Sequence, residues 1–416
     1  MKQLKGGSLI YSLMIFVIIG SLLGMIIFLN ALQGSYSHQT LGPIWAKHNM
    51  ESGVMSLLEA GFQENKTLQN QLFNDQSDSC LLKTERWGMY GLVHATGTHK
   101  NSVFSSSCLI GQLISDEKRY ALQTKNQQST ISLAGQVSIQ GKVFVPNSAF
   151  RAVSLPGISY QADLRQATVK PSSTFLNRPY WQNWEAIKQQ LQELRTWQRN
   201  SSAYVLEHMI HQQAWRESPK VIQAASSLTI GDCALEGKIL ILADEIIVKA
   251  NSQLKHCILM GRRIKIEDGF RGNLQAYALE TIEIGTSVNL TYPSLLALLP
   301  DTPDPISFQL GQYTTIEGEV FISRNPFRTL PNRYDNCTIS ENSSLWGSVY
   351  CSQSLDFRGN MNGRLVTNDF IFHTPSRIYN HTLVNATFHE NTLSKSFVGG
   401  MAYMKEPYQI VEWLEE

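Results

Sequence analysis

Charge is scarce in this chain. Asp, Glu, Lys and Arg make up 17% of its 416 residues, below the roughly 25% of an average soluble domain. Lys plus Arg (35) and Asp plus Glu (34) leave a net charge of +1. A balance so neutral gives no overall drive toward nucleic acid or other polyanions. A charged fraction this low also excludes a disordered tail and a charge-rich coiled coil. The six cysteines are too sparse for a small disulfide scaffold. None of them forms a C-x-x-C, so no zinc site is indicated. Gly-rich phosphate loops and basic runs are missing too, and no cofactor motif is present. What remains is a large folded protein whose length suggests two or three domains.

The sharpest absence is local. Between Lys5 and Lys47 there is no Lys, Arg, Asp or Glu. Within that window Leu9 to Leu29 is apolar except for Tyr11, Ser12, Gly20, Ser21 and Gly24. About 20 helical residues at 1.5 Å each span a bilayer core of about 30 Å. A cleaved signal peptide is the rival reading, but its apolar region is shorter and ends at a small-x-small site. Asn30-Ala31-Leu32-Gln33-Gly34 is a poor one. Lys2 and Lys5 precede the run and no cation follows until Lys47. The positive-inside rule then places the N-terminus in the cytoplasm and the rest of the chain outside.

A short basic leader, Lys5-Gly6-Gly7-Ser8, followed directly by the apolar helix resembles the N-terminus of type IV pilin-like proteins. The resemblance implies cleavage by a prepilin peptidase, with Gly6, Gly7 and Ser8 as the processing candidates. Most pilins carry Glu five residues after the cut; here Tyr11 or Ser12 stands there, which points to a minor pilin or pseudopilin. The stretch from Ala46 to Leu58 reads as a helix with Met50, Val54, Leu57 and Leu58 on one stripe. It resembles the helical segment that follows the membrane span in minor-pilin-like proteins.

The second half of the chain repeats. Leu228/Ile230, Ile246/Val248, Ile264/Ile266 and Ile282/Ile284 are apolar pairs, each 18 residues after the one before. Spacing of two puts both side chains on one face of a strand. A second line runs Ile239/Ile241, Ile258/Met260, Leu274/Ala276, and a looser third runs Leu235, Leu254, Phe270, Val288. Three short strands per turn of about 18 residues describe a triangular parallel β-solenoid, in which stacked rungs bury one continuous core. The pattern continues at Ile131/Leu133, Val137/Ile139 and Val143/Val145. It returns at Ile316, Val320/Ile322, Cys337/Ile339, Val349/Cys351, Leu355/Phe357 and Leu365/Thr367.

The corners Gly237-Lys238-Ile239, Gly318-Glu319-Val320, Gly347-Ser348-Val349 and Gly363-Arg364-Leu365 make residues 226–290 and 306–372 resemble the bactofilin, or polymer-forming cytoskeletal, repeat. That resemblance implies the triangular solenoid, and polymerisation as a secondary expectation. Residues Arg178 to Trp215 carry a helical period through Trp181, Trp184, Ile187, Leu191, Leu194 and Trp197, then Tyr204, Val205 and Met209. Proline-rich stretches at Pro293–Pro305 and Arg324–Asp335 read as loops. Arg86–Ala95 alternates as a strand, and Tyr408–Glu416 reads as a short helix.

β-Solenoids host two enzyme classes. Hexapeptide acyltransferases need a general-base His, and His256 is the candidate inside the repeat. Polysaccharide lyases and hydrolases need clustered carboxylates. Asp232, Asp244, Glu245, Glu267, Asp268, Glu280 and Glu283 form no stacked acidic column in the repeat register and read as a solvated face. Cys80 and Cys108 are a possible disulfide in an oxidising compartment. Cys233, Cys337 and Cys351 share parity with inward residues and read as buried free thiols.

The sequence thus predicts a mainly β protein: a parallel triangular β-solenoid behind a long transmembrane helix, interrupted by a helical insertion. The expected organisation is a pilin-like helix over 1–64, a small α/β or β region over 65–126 and first solenoid turns over 127–170. A helical insertion over 171–225 follows, then solenoid over 226–372 with loops near 291–305 and 323–336, and a tail over 373–416. The expected role is a non-catalytic pilus- or surface-assembly component of a bacterial inner membrane, N-terminus cytoplasmic. Its partners would be the lipid bilayer, pilus-like or cell-surface proteins, glycans, or a second copy, and not nucleic acid. The alternatives are a membrane-tethered carbohydrate-active enzyme and a bactofilin-like polymerising scaffold.

Overall fold

A computed structural model describes residues 7–71, 78–176, 184–185, 187, 189, 191, 204–324, 335–401 and 406–414. The chain divides into two compact units. The first holds Met1–Ala60, Asn65–Thr84 and His94–Ser106; the second holds Gly61–Glu64, Glu85–Val93 and Ser107–Glu416.

The first unit is built on α1 (Gly7–Ala60), one continuous 54-residue helix with Pro43 inside it. Its apolar residues change role along its length. Leu9 to Leu32 are exposed, whereas Ala46, Met50, Val54 and Leu57 are buried. The spacing of four and three keeps these last side chains on one face. Two glycines let that face approach the neighbouring strands. A Cβ on Gly97 would meet the carbonyl of Ala46, and one on Gly53 would meet the Cys80 sulfur. The approach is pinned by Asn49, whose Nδ2 donates to Asp78 Oδ1 and to Thr98 O at 2.8 Å each. His99 Nδ1 lies 2.6 Å from the same carboxylate oxygen. Strand Thr67–Gln71 pairs antiparallel with Ser79–Lys83.

The second unit is a stack of parallel strands wound from repeating rungs. Strand Ile239–Val248 is mostly apolar and half β-branched and so favours a pleated, buried surface; it pairs in parallel with Lys220–Ile230 on one side and Gln253–Ile266 on the other. One inward column runs Leu228, Ile246, Ile264, Ile282, Phe308, Cys337, each in register with the next. A second runs Ile241, Leu259, Ala276, Leu296, Val320, Val349, Leu365, and then continues into Leu122, Val143 and Val169. The early strands therefore extend the stack beyond Asn360–His373, whose residues pair both with Leu122–Thr124 and with Thr387–His389. The inward residues of every rung form one core.

A second core lies on the outer face of the Ile241–Leu365 column. Helical residues Trp184, Ile187 and Leu191 are buried there, with Trp184 stacked on Phe321 at 3.8 Å between ring centres. Tyr90, Leu92, Leu109 and Leu414 belong to the same cluster. Strand Ser102–Leu113 carries two antiparallel neighbours at its second-unit end, Val398–Gly399 and Tyr408–Leu414.

Several local expectations are corrected. The second line of the repeat slips at one position: Cys257 and Leu259 face the inner core, and Ile258 and Met260 face the outer one. The cause is a bulge between Lys255 and Cys257, where His256 sits at φ 61°. One extra residue reverses the faces of the residues that follow, until a second register shift between Gly261 and Arg263 returns Ile264 to the inner core. The helical period read through Tyr204, Val205 and Met209 gives way to strands Tyr204–Leu206 and Ile210–Gln213, which pair with the next rung. Arg86–Ala95 contains a turn at Gly88 (φ 62°) and so is not one strand. The tail is the strand Tyr408–Leu414, because pairing to Ser107–Gln112 overrides its weak helical pattern. The stretch read as a loop from Pro293 is strand as far as Leu298. Trp181, Leu194 and Trp197 lie outside the described residues.

Candidate functional site

The processing candidates stand at the start of α1. Gly7 and Ser8 are its first two residues, and Gly6 lies outside the described residues. Leu9–Gln33 has a mean hydropathy of 2.7 and none of it is buried. At 1.5 Å per residue it is long enough to cross a hydrocarbon core of about 30 Å. One N-terminal apolar helix is therefore available as an anchor or a signal.

Cys80 and Cys108 are both buried and both free thiols. Cys80 belongs to the first unit and Cys108 to the second. Burial pushes their thiols up, to about 11 and about 12. The Cys80 sulfur faces the carbonyl of Met50 at 3.9 Å.

His256 lies on the wall of a groove of about 300 Å³ lined by Gln213, Trp215, Glu236, Lys255, Glu412 and Trp413. Its main chain is fully engaged. The N–H donates to Asn273 Oδ1 at 2.5 Å, and the carbonyl accepts from Trp87 Nε1 at 2.9 Å. The ring packs edge-on to Trp215 and its Nε2 is 3.7 Å from Glu412 Oε2. Burial, and then the charge of Lys255, push its pKa down to about 4. The ring is therefore neutral at pH 7, able in principle to accept a proton. Its bulge geometry already accounts for its placement.

Three acidic residues of the repeat, Asp244, Glu245 and Glu280, gather round Arg262 and Arg263, and the others stand apart from them. Arg262 bridges Asp244 (3.3 Å) and Glu280 (2.7 Å); Arg263 reaches Glu245 at 3.6 Å; Lys265 pairs with Glu283 at 3.0 Å. Asp232 lies 2.7 Å from His208, and Asp268 accepts from the N–H of Thr286. These are rung-to-rung ladders of opposite charge on an outward strip. Among the described residues no three His, Cys, Asp or Glu side chains are placed to hold a metal.

Sequence reasoning missed a buried polar column beneath the C-terminal segment. Gly318, Gly347 and Gly363 stack in register at φ 148°, 145° and 137°. A Cβ on any of them would strike the carbonyl of the rung below. The residues after them, Glu319, Ser348 and Arg364, point outward and are nevertheless buried. Arg364 donates to Ser348 Oγ at 3.2–3.3 Å, and Glu319 Oε2 accepts from the N–H of Met401 at 2.8 Å. Burial raises the Glu319 carboxyl to about 7. Nearby, Tyr292 Oη donates to the carbonyl of Val398 at 2.8 Å. The only signal in the sequence was the G-x-I corner itself.

No protein-family model matches the chain, and no curated protein does. Among solved structures, it is similar to the competence-associated pilin ComZ from Thermus thermophilus at 10% identity. That match covers 90% of this chain and 97% of the other, with a TM-score of 0.21, and a likeness of that size carries no argument.

Proposed function

We propose that the chain is a single-pass membrane protein and a non-catalytic component of a pilus-like or cell-surface assembly. One observation carries the reading. α1 is a single helix that exposes about six turns of predominantly apolar, uncharged surface at its first end and buries an apolar stripe at its second. Exposed apolar surface on that scale needs a lipid or protein environment. The leader charges favour a cytoplasmic N-terminus in a bacterial inner membrane, with the body outside. The Lys5-Gly6-Gly7-Ser8 leader supports cleavage by a prepilin peptidase. The stacked parallel rungs support a triangular β-solenoid, a rigid body that would present its face to another surface protein, a glycan or a second copy.

Intact mass and N-terminal sequencing of the membrane-extracted protein test this. A start at Gly7 or Ser8 supports pilin-like assembly. An intact Met1 reduces the role to a plain tether, and a start near Gln33 removes the anchor altogether. The second reading, a carbohydrate-active enzyme, rests on the His256–Glu412 approach in its groove. Loss of polysaccharide cleavage in His256→Ala, against an active parent, would favour it.

A further inference from the structure

The outer side of three successive rungs carries a polar ladder. Gln212 is in register with Glu236, and Glu236 with Lys255. The rungs stand about 4.8 Å apart, and Lys255 Nζ meets Glu236 Oε1 at 2.6 Å. Two hollows adjoin along this ladder, one of about 400 Å³ and one of about 300 Å³. Gln253 and Arg271 line the first; His256, Trp215, Glu412 and Trp413 line the second. His256 is the unfinished group there. It is only 7% exposed, and the bulge at Lys255–Cys257 sets its ring between Trp215 and Glu412. Among the described residues the ring makes no hydrogen bond. Its Nε2 stands 3.7 Å from Glu412 Oε2, beyond hydrogen-bond reach. With the ring proton on Nε2, one hydroxyl between them accepts from the imidazole, donates to the carboxylate and completes both. Trp413, 37% exposed, adds an open indole surface to the same hollow.

The lining selects a class of ligand. Glu236 and Glu412 offset Lys255 and Arg271, and burial keeps His256 uncharged at pH 7. The lining therefore favours no net charge on its ligand. The main chain at Glu236 and Lys255 is already paired on both sides, so a peptide cannot add there as a strand. What the groove offers is side-chain donors and acceptors beside an aromatic face. A pyranose matches that offer, with hydroxyls round its edge and C–H bonds on its flat face. We propose that the groove binds an uncharged β-1,4-linked glycan chain running across the rungs, one sugar stacked on Trp413 and one hydroxyl held between His256 and Glu412. One sugar of such an extended chain is close in length to one rung step, so successive sugars meet Gln212, Glu236 and Lys255 in turn. The inference names the partner class for the surface role proposed above and rests on that reading.

The test is calorimetry of the full-length protein, extracted in a detergent without a sugar headgroup, against cellohexaose, chitohexaose and polygalacturonate. At least one of the two neutral oligomers should bind, and the acidic polymer should not. Trp413→Ala should weaken binding about tenfold, and so should His256→Asn, which keeps a residue tolerant of the left-handed backbone. Gln212→Ala, at an exposed side chain that folding does not need, should weaken it about threefold. Tyr313→Ala removes an exposed aromatic outside both hollows and should change nothing. Failure of both neutral oligomers to bind overturns the site, as does equal binding by the parent, Trp413→Ala and Gln212→Ala. Tighter binding of polygalacturonate overturns the uncharged class. Shortened oligomers after incubation overturn simple binding in favour of cleavage. External protease digestion of spheroplasts, run in parallel, fixes the compartment. A body that is outside and binds neither oligomer defeats the glycan site alone; a body that is inside defeats the surface reading, whatever the calorimetry shows.

Discussion

The main-chain N–H of Met401 donates to Glu319 Oε2 at 2.8 Å, from a segment 82 residues further along the chain. Glu319 is fully buried, and burial holds its carboxyl near pH 7 rather than its ordinary 4.5. An acid whose folded pKa is raised binds its proton more tightly in the folded state. Its contribution to stability is complete below about 4.5, falls as pH rises, and levels off above about 7. The whole change is about 3 kcal/mol. His256, pushed down to about 4, acts in the opposite sense between about 4 and 6.5. The difference between parent and Glu319→Gln isolates the carboxyl. Guanidinium unfolding of detergent-extracted protein should show the variant gaining on the parent from pH 5 to pH 8. A pH-independent difference would remove Glu319 from the account.

Gly347 stands in the middle of the glycine column at φ 145°, against the carbonyl of Gly318. Gly347→Ala should cost about 1–3 kcal/mol, from backbone strain and the collision together. Gly269, also at positive φ but with open space around it, is the control for strain alone. Equal losses at the two positions would show that the stacking contact contributes nothing.

Arg324 and Asp335 are both almost fully buried, and Arg324 also donates to the carbonyls of Thr302 (2.5 Å) and Asp304 (2.6 Å). Asp335→Ala should destabilise by about 3–5 kcal/mol, since it strands a buried cation. Replacing both residues by apolar ones of similar volume should cost less than the single change. A double variant worse than Asp335→Ala would mean that the carbonyl contacts, and not the ion pair, fix this point.

Gly97 lets α1 lie against the strands of its own unit. Gly97→Val should push the helix off, because the nearest atoms are main chain and cannot rotate away. Limited proteolysis should then cut between residues 46 and 60 within minutes, while the parent resists. Asn49→Ala, which removes two hydrogen bonds to Asp78 and Thr98, should weaken the same contact by about 1–3 kcal/mol.

The 18-residue phase was legible because a column such as Leu228, Ile246, Ile264, Ile282 keeps one period and one face. The slip at His256 was not legible. Both faces of Gln253–Ile266 are covered there, so Ile258 and Met260 are as apolar as the inward Cys257 and Leu259. Periodicity cannot rank two buried faces. The stripe Ala46, Met50, Val54, Leu57 was readable for the opposite reason, since one side of α1 stays wet. Glu319 was invisible because its cover comes from residues far away in sequence, Gly399 and Met401. The tail followed its strand partner rather than its own weak propensity. That Leu365 pairs with Leu122 left no trace in local pattern at all.

That last pairing sets an order of events. Strands between Leu122 and Pro171 leave the ribosome early, yet they dock on Asn360–His373, which is made about 240 residues later. Emergence from the N-terminus alone cannot complete the winding. The early strands can pair with one another, but the edge at Leu122–Thr124 must wait unpaired until nearly the whole body has been delivered, and only then does the stack close at Leu365. A chain that stalls or is clipped before that point keeps an open edge. The fold thus carries its own test of completeness: only a full-length body can hide its first rungs from proteases and from other chains.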